Sequence, residues 1–170
     1  AGDNFAYISN DGGNSVAYTI NSLSASHIYR DIAFTDQSLE FNLNFQWKCQ
    51  GEGTAWDRMR VYLVDLNVTP VAGTEKTVGQ VGLSNYNLQS NWTEANITLP
   101  GSHSGTVKRL VFSWKNDASG GTQPPINLDN ISLTATPVTA PPNPAVLVSP
   151  SDGAINVSQN QTLNWNSGGG

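Results

Sequence analysis

The sequence has little cysteine, little charge and no long apolar run. Its single cysteine, Cys49, excludes an internal disulfide and a zinc site built from several cysteines. Only 12% of the residues are charged, with eight Lys and Arg against thirteen Asp and Glu, so the basic face needed for nucleic-acid binding is missing. No stretch approaches the roughly 18 apolar residues of a membrane-spanning helix. The composition therefore predicts neither a membrane span nor a nucleic-acid partner.

Uncharged polar residues take the place of charged ones. Asn, Ser and Thr together supply 50 of the 170 residues, a composition typical of exported bacterial β proteins. At 38% hydrophobic residues, with five each of Trp, Tyr and Phe, the chain can still bury a core, which argues against disorder. We therefore expect a folded protein that is extracellular or lies at the cell surface.

Alternation with a period of two residues is the strongest pattern in the chain. From Phe41 to Cys49 every odd position is apolar and every even position is polar, as in a half-buried strand. The same alternation occurs in Met59–Leu63 and Lys108–Trp114, and no long window has helical spacing. Weaker strand signals lie at Phe5–Ser9, Ser15–Ile20, His27–Phe34, Val78–Leu83, Asn96–Leu99 and Ile126–Leu133.

Turn residues separate these predicted strands at short intervals. Asn10–Gly13 has the composition of a tight hairpin turn between the first two strands. About nine short strands without crossover helices are typical of an antiparallel sandwich or jelly roll. We therefore predict an all-β fold, an antiparallel β-sandwich of jelly-roll type.

The composition changes near residue 135. Five of the nine prolines fall in 137–150, and proline favours an extended, semi-rigid chain. Short strand signals follow at Ile155–Val157 and Thr162–Trp165, but so few residues cannot form a core of their own. We predict a sandwich domain over 1–135, a proline-rich linker over 136–150 and an incomplete Ig-like β-segment over 151–170.

Several blocks resemble, in order, the choice-of-anchor J domain, a jelly-roll module of secreted bacterial surface proteins related to cleaved-adhesin and MAM-type domains. The blocks lie between about residues 6 and 135 and read AYISNDGGNSVAY, SHIYRDIAF, LEFNLNFQWK, GEGTAWDRMRVYLV, TPVAGTE, LPGSHSGTVKRLVFSWKND and GTQPPINLDNISL. The tail PNPAVLVSPSDGAINVSQNQTLNWNSGGG resembles the first two strands of a fibronectin type III-like domain. The resemblance implies a non-enzymatic structural or adhesion module.

The sequence departs from that family pattern at both ends. Family members carry a further stretch that supplies the first strand, whereas only Ala1–Phe5 precede the first matching block here. The fibronectin-like segment stops before its third strand. We therefore expect a sheet that lacks a strand, which would expose unpaired backbone groups beside an apolar groove.

The tail could fill such a groove in a neighbouring copy by strand addition, and head-to-tail repetition would give a filament. Residues 136–170 contain no Lys or Arg and one acid, Asp152, so little charge would be desolvated. Leu163 and Trp165 are the expected subunit-contact residues. The alternative is a fragment of a longer protein, whose partners are its own neighbouring domains.

Calcium is the candidate cofactor, with a structural role, because Ca²⁺ prefers carboxylate, amide and backbone oxygens and related jelly rolls often hold such an ion. Asp129 stands inside an otherwise apolar strand pattern, and a buried carboxylate needs a partner. That partner could equally be Arg30, Arg109 or backbone N–H groups. The candidate ligands are Asp11, Glu52, Asp57, Asp117 and Asp129.

Exposed aromatic residues could bind a glycan. Trp56, Tyr86 and Trp92 have polar neighbours, whereas Trp47 and Trp114 fall on apolar strand faces and are expected in the core. The three could instead cap the ends of the sandwich. A carbohydrate-binding module of a secreted multidomain enzyme is therefore the alternative function.

No catalytic residues are predicted in this chain. His27 falls in a strand and His103 in a Ser/Gly-rich loop, and the residues adjacent to His103 would not converge with it on one point.

Overall fold

The computed structural model describes residues 4–53, 56–138 and 143–168. The chain divides into two compact units, Ala1–Pro137 and Val138–Gly170, called here the sandwich unit and the C-terminal unit. Nearly all regular structure in both is β-strand, as the alternation predicts.

The described part of the sandwich unit contains eight strands, and each of its strand pairs is antiparallel. Their bounds are β1 Ala6–Tyr7, β2 Ser24–Ala33, β3 Ser38–Cys49, β4 Arg58–Val64, β5 Gln80–Tyr86, β6 Gln89–Pro100, β7 Val107–Asn116 and β8 Asn127–Pro137. One sheet has the order β1-β8-β3-β6 and the other β2-β7-β4-β5. Two four-stranded sheets between which the chain repeatedly crosses form a jelly roll, which confirms the predicted fold class.

The core lies between the two sheets and follows the alternation in β3. Phe41, Leu43, Phe45, Trp47 and Cys49 are each at most 7% exposed. Burial raises the pKa of the Cys49 thiol to about 12, so this side chain is an inert core residue. Edge-to-face aromatic pairs add specific geometry to the apolar burial, as between Phe45 and Phe112, whose ring centroids lie 5.1 Å apart.

The predicted hairpin at Asn10–Gly13 is wrong. β1 and β2 belong to different sheets, so the segment between them crosses the end of the sandwich instead of turning back on itself. Predicted strand Ser15–Ile20 is also wrong, because only Ala17 makes a bridge there, parallel to Ser9. Turn composition did not reveal this crossing because the same residue types serve both kinds of loop.

The two lateral sides of the sandwich differ. On one side β5 and β6, the edge strands of their sheets, contact each other and close the core. On the other side the edges are β2 and, beyond the very short β1, β8. Among the described residues, β1 pairs with Asn127 and Leu128 of β8 and with no other strand.

The C-terminal unit contains a two-stranded antiparallel sheet of β9 Val146–Ser149 and β10 Asn164–Asn166. β9 lies within the segment predicted to be the linker, and residues 139–142 of that segment lie outside the described residues. The predicted strand Ile155–Val157 is not formed. Val146, Val148, Ile155, Leu163 and Trp165 are all exposed, since the described part of this unit has no second layer to cover so small a sheet.

Candidate functional site

The candidate metal centre lies where the loops of one end of the sandwich meet. The β3–β4 connection supplies Glu52 and Asp57, the β7–β8 connection supplies Asp117, and the crossing segment before β2 supplies Tyr18. One carboxylate oxygen from each of the three acids lies within 4.8 Å of the others. Loops held by a rigid sandwich can in this way bring together acids that are distant in sequence.

Asp57 is the buried centre of this carboxylate cluster. The residue is fully buried, and its Oδ2 accepts a hydrogen bond from the Tyr18 hydroxyl at 2.6 Å. The backbone N–H of Asp117 donates to Asp57 Oδ1 at 3.0 Å. These bonds fix the Asp57 carboxylate between the crossing segment and the β7–β8 loop, and they compensate for the burial of its charge.

Glycines let the β7–β8 loop approach the acids closely. A Cβ on Gly120 would stand 2.5 Å from Glu52 Oε1, and one on Gly121 would collide with Asp57 Oδ2 and the Tyr18 hydroxyl. Both glycines have positive φ, at 73° and 92°. Any other residue would be strained here and would also push the loop away from the carboxylates.

The cluster has unsatisfied negative charge. Glu52 Oε2 is buried and accepts no hydrogen bond within the described part of the chain. Loss of solvent, reinforced by the charges of Asp117 and Asp57, raises the pKa of Glu52. Burial, together with the hydrogen bond to Asp57, also raises the pKa of Tyr18, which keeps its hydroxyl protonated as the donor.

These residues could hold a metal ion. Three carboxylates, one of them with an orphaned oxygen, form the all-oxygen donor set that a hard cation prefers. The structure thus brings together three of the five predicted ligands.

Asp11 and Asp129 lie outside the cluster, so the structure does not bring them to this site. Asp11 instead organises its own loop, since its carboxylate accepts hydrogen bonds from the Ser9 hydroxyl and from the Ser15 hydroxyl and backbone N–H. These bonds, that of the Ser15 side chain above all, lower the pKa of Asp11 to about 2. Asp129 is only half-buried, at a bulge of β8, and its Oδ1 accepts from the backbone N–H of Asn130.

The three aromatic candidates occupy different environments. Trp56, which precedes Asp57 in the chain, is 54% exposed. Tyr86 is 1% exposed and packs edge-on against Trp47, so its assignment to a glycan surface is wrong. Trp92 is half-buried, with Phe5 against it and Lys48 Nζ 5.0 Å from its ring centroid, so part of its surface is already covered. The polar sequence neighbours of Tyr86 indicated exposure wrongly, because its ring packs in the core against Phe45 and Trp47.

A second region of interest is the groove between β2 and β8. It has a volume of about 630 Å³, and its lining includes Ile28 and Ile32 of β2, Leu110 of β7, and Ile131 and Leu133 of β8. Among the described residues, no strand pairs with the outer edge of β8 beyond Leu128. Backbone donors and acceptors of β8 therefore border an apolar channel, the arrangement that an added strand completes.

Arg30 also lines this groove, and the sequence interpretation did not assign it to this role. It pairs across the ladder with Leu110, on the same face of β2 as Ile28 and Ile32, and its side chain is exposed. A charged residue at an inward position of a strand was the signal that could have found it.

Both predicted subunit-contact residues are exposed in the C-terminal unit. Leu163 is 58% and Trp165 57% exposed, and Trp165 pairs across the ladder with Leu147. Their role in a subunit contact stays a prediction.

Neither histidine belongs to the carboxylate cluster. His27 Nε2 lies 3.1 Å from the carbonyl oxygens of Val71 and Thr74, and the His103 ring packs against Phe34.

Within the described ranges, no helix has both the length and the hydrophobicity to cross a bilayer. Comparison with models of known protein families gives no match, and comparison with curated proteins gives none either.

Proposed function

We propose that the sandwich unit is a non-enzymatic structural or adhesion module of an extracellular bacterial surface protein, and that it joins copies of the chain by β-strand addition. The observation that carries the proposal is the groove bordered by the unpaired edge of β8. The resemblance of the sequence blocks to a family of secreted surface modules supports the extracellular setting.

Strand addition suits this groove for two physical reasons. A strand laid along β8 would satisfy backbone N–H and C=O groups that otherwise bond only to water. Its inward side chains would also cover Ile131, which is 44% exposed, and the partly buried Leu133. Apolar burial contributes about 25 cal/mol for each Å² removed from water.

The test is the oligomeric state of the whole chain. We expect assemblies at high concentration by light scattering after gel filtration, visible as filaments or short chains by negative-stain microscopy. Ile131→Lys should disperse them, because a lysine at the groove would be desolvated without a partner. Val78→Lys is the matched control, since Val78 is 71% exposed and lies outside the groove lining. A protein that stays monomeric at every concentration would contradict the proposal.

We also propose that Ca²⁺ occupies the carboxylate cluster as a structural ion. Glu52, Asp57 and Asp117 would hold it, and it would neutralise their mutual repulsion while tying the β3–β4 loop to the β7–β8 loop. An ion that binds only the folded state at a concentration well above its Kd should raise the melting temperature by about 5 °C.

Thermal unfolding with added Ca²⁺ or EGTA checks this proposal. Glu52→Gln should remove the response to calcium, whereas Asp129→Asn should retain it because Asp129 lies outside the cluster. Equal melting temperatures of the unaltered protein in calcium and in EGTA would refute the site.

Carbohydrate binding is a second candidate function, favoured by one observation. The Trp56 ring is 54% exposed, so its face could stack on a sugar. Trp56→Ala should abolish binding on a glycan array, while Tyr29→Ala, which removes a ring of similar exposure from β2, should leave binding unchanged. An array on which the unaltered protein binds no glycan would count against this function.

A further inference from the structure

Arg30 is an unpaired cation in an apolar groove. Of the four arginines, all within the described residues, Arg58 and Arg60 pair with Glu75, and Arg109 pairs with Asp31. Arg30 has no hydrogen-bond or ion-pair partner among the described residues. The adjacent acid, Asp31, cannot serve, because it lies on the opposite face of β2 and binds Arg109 in two hydrogen bonds of 2.7 and 3.0 Å.

An inward charge makes the groove selective. A wholly apolar strand that entered it would bury the Arg30 guanidinium without a counter-charge, which carries a large desolvation penalty. A strand that brings one acid would instead form a charge-assisted hydrogen bond with it. Arg30 therefore discriminates between strands that could pair with the same edge of β8.

The C-terminal unit has the complementary properties. Its described residues contain one charged side chain, that of Asp152, which is exposed and takes part in no ion pair. Val146 and Val148 of β9 share one face of their small sheet and are 61% and 50% exposed. β9 also has one edge to which no described strand is hydrogen-bonded, because β10 occupies only the other.

β9 fits within the length of the groove. At about 3.3 Å per residue, β9 from Val146 to Ser149 spans about 10 Å, and the groove-lining stretch of β2, Ile28 to Ala33, spans about 17 Å. Asp152 lies in the turn that follows β9, where the Ala154 N–H donates to the Ser151 carbonyl at 3.0 Å. β9 seated beside β8 can therefore place Val146 and Val148 over the groove, with the acid in the turn after the strand.

We infer that the groove of one copy binds the segment Val146–Asp152 of a second copy, with Asp152 paired to Arg30. This inference rests on the proposed function and names the occupant of its groove. The contact is heterologous, since the groove and the inserting segment are different surfaces of the chain. Asp152 thus turns the almost uncharged tail into a specific partner for this edge.

Charge exchange on the full chain tests the pair. Arg30→Glu and Asp152→Lys should each weaken self-association by about tenfold or more, the equivalent of losing about 1.4 kcal/mol or more. The double variant Arg30→Glu/Asp152→Lys should recover association, because the pair is restored with reversed polarity. Equimolar mixing of the two single variants should recover it as well, because the groove of each variant then meets a segment of opposite charge from the other.

Controls separate the possible failures. Lys76→Glu changes the net charge as Arg30→Glu does but lies outside the groove lining, and should leave association unchanged. Melting curves will show whether each variant folds; both charged residues are exposed, so we expect little change. Assembly that is insensitive to both single exchanges, or a double variant that fails to recover, would overturn the Arg30–Asp152 pair while leaving strand addition intact. Absence of assembly in the unaltered protein would overturn both.

Discussion

The two lateral sides of the sandwich are both bordered by edge strands, but one side is closed and the other is open. On the closed side, β5 approaches β6 so tightly that a Cβ on Gly82 would stand 2.5 Å from Ile97 Cδ1 and 2.6 Å from the Tyr86 hydroxyl. Tyr86 is buried there, and its hydroxyl accepts a hydrogen bond from the Leu83 backbone N–H at 3.2 Å. The Tyr86 side chain thus fills the gap between the sheets, and the glycine at position 82 allows β5 to approach β6 closely.

On the open side, none of the residues that line the groove plays the part of Tyr86. Ile28, Ile32 and Leu133 are only partly buried, and Arg30 stands among them. In this sandwich the closed side has a large side chain in the gap between the sheets, whereas the open side leaves an apolar row partly exposed. The proposed strand addition would cover that row.

The largest expected effect is at the closed side. Tyr86→Ala should lower the free energy of unfolding by about 4 kcal/mol, because it leaves a cavity among Phe45, Trp47 and Gly82. Urea denaturation measures the loss. Tyr29→Ala, which removes a 47% exposed ring from the open-side strand β2, should cost less than about 1 kcal/mol. Similar losses for the two variants would break the distinction between the sides.

A glycine pair sharpens the comparison further. Gly82→Ala should cost about 3 kcal/mol, since φ of 75° strains alanine and the added Cβ meets Ile97. Gly73→Ala has a similar φ of 81° but no atom within 4 Å of its Cβ, so it should cost only about 1 kcal/mol. Chemical denaturation gives the loss of unfolding free energy for each variant, and the difference between the two losses is the steric contribution of the contact at Gly82. A difference near zero would mean that β5 can shift away from β6.

The smallest expected effect is a pH-dependent change in stability that arises from Asp31 on the open side. The hydrogen bonds from Arg109 hold the pKa of Asp31 below its ordinary 3.8, so this contribution is present above that pH and is lost as pH falls through the lowered value. Asp31→Asn should therefore be slightly less stable than the unaltered protein at neutral pH and equally stable in strong acid. Denaturation midpoints at the two pH values check this, and a difference that persists in strong acid would refute the assignment.

Much of the fold could be predicted from the sequence, and part of the site. Alternation located β3, β4 and β7 because burial of one sheet face imposes a period of two on each strand. The same reasoning failed for Asn10–Gly13 because a turn and a crossing between sheets need the same flexible residues. Among the acids, residue type alone could not separate Asp11, whose partners are in its own loop, from Asp57, whose partner Tyr18 lies 39 positions away.

The sequence by itself determined the class of the protein: an all-β chain with low charge, one cysteine on the apolar face of a strand and a tail poor in charged residues. Tertiary structure alone decided which residues meet. Glu52, Asp57 and Asp117 come together, and Arg30 enters a groove beside β8, because pairing between strands distant in sequence sets the positions of loops and edges. Alternation is a local property of each strand, whereas a site or an open edge depends on which strands become neighbours.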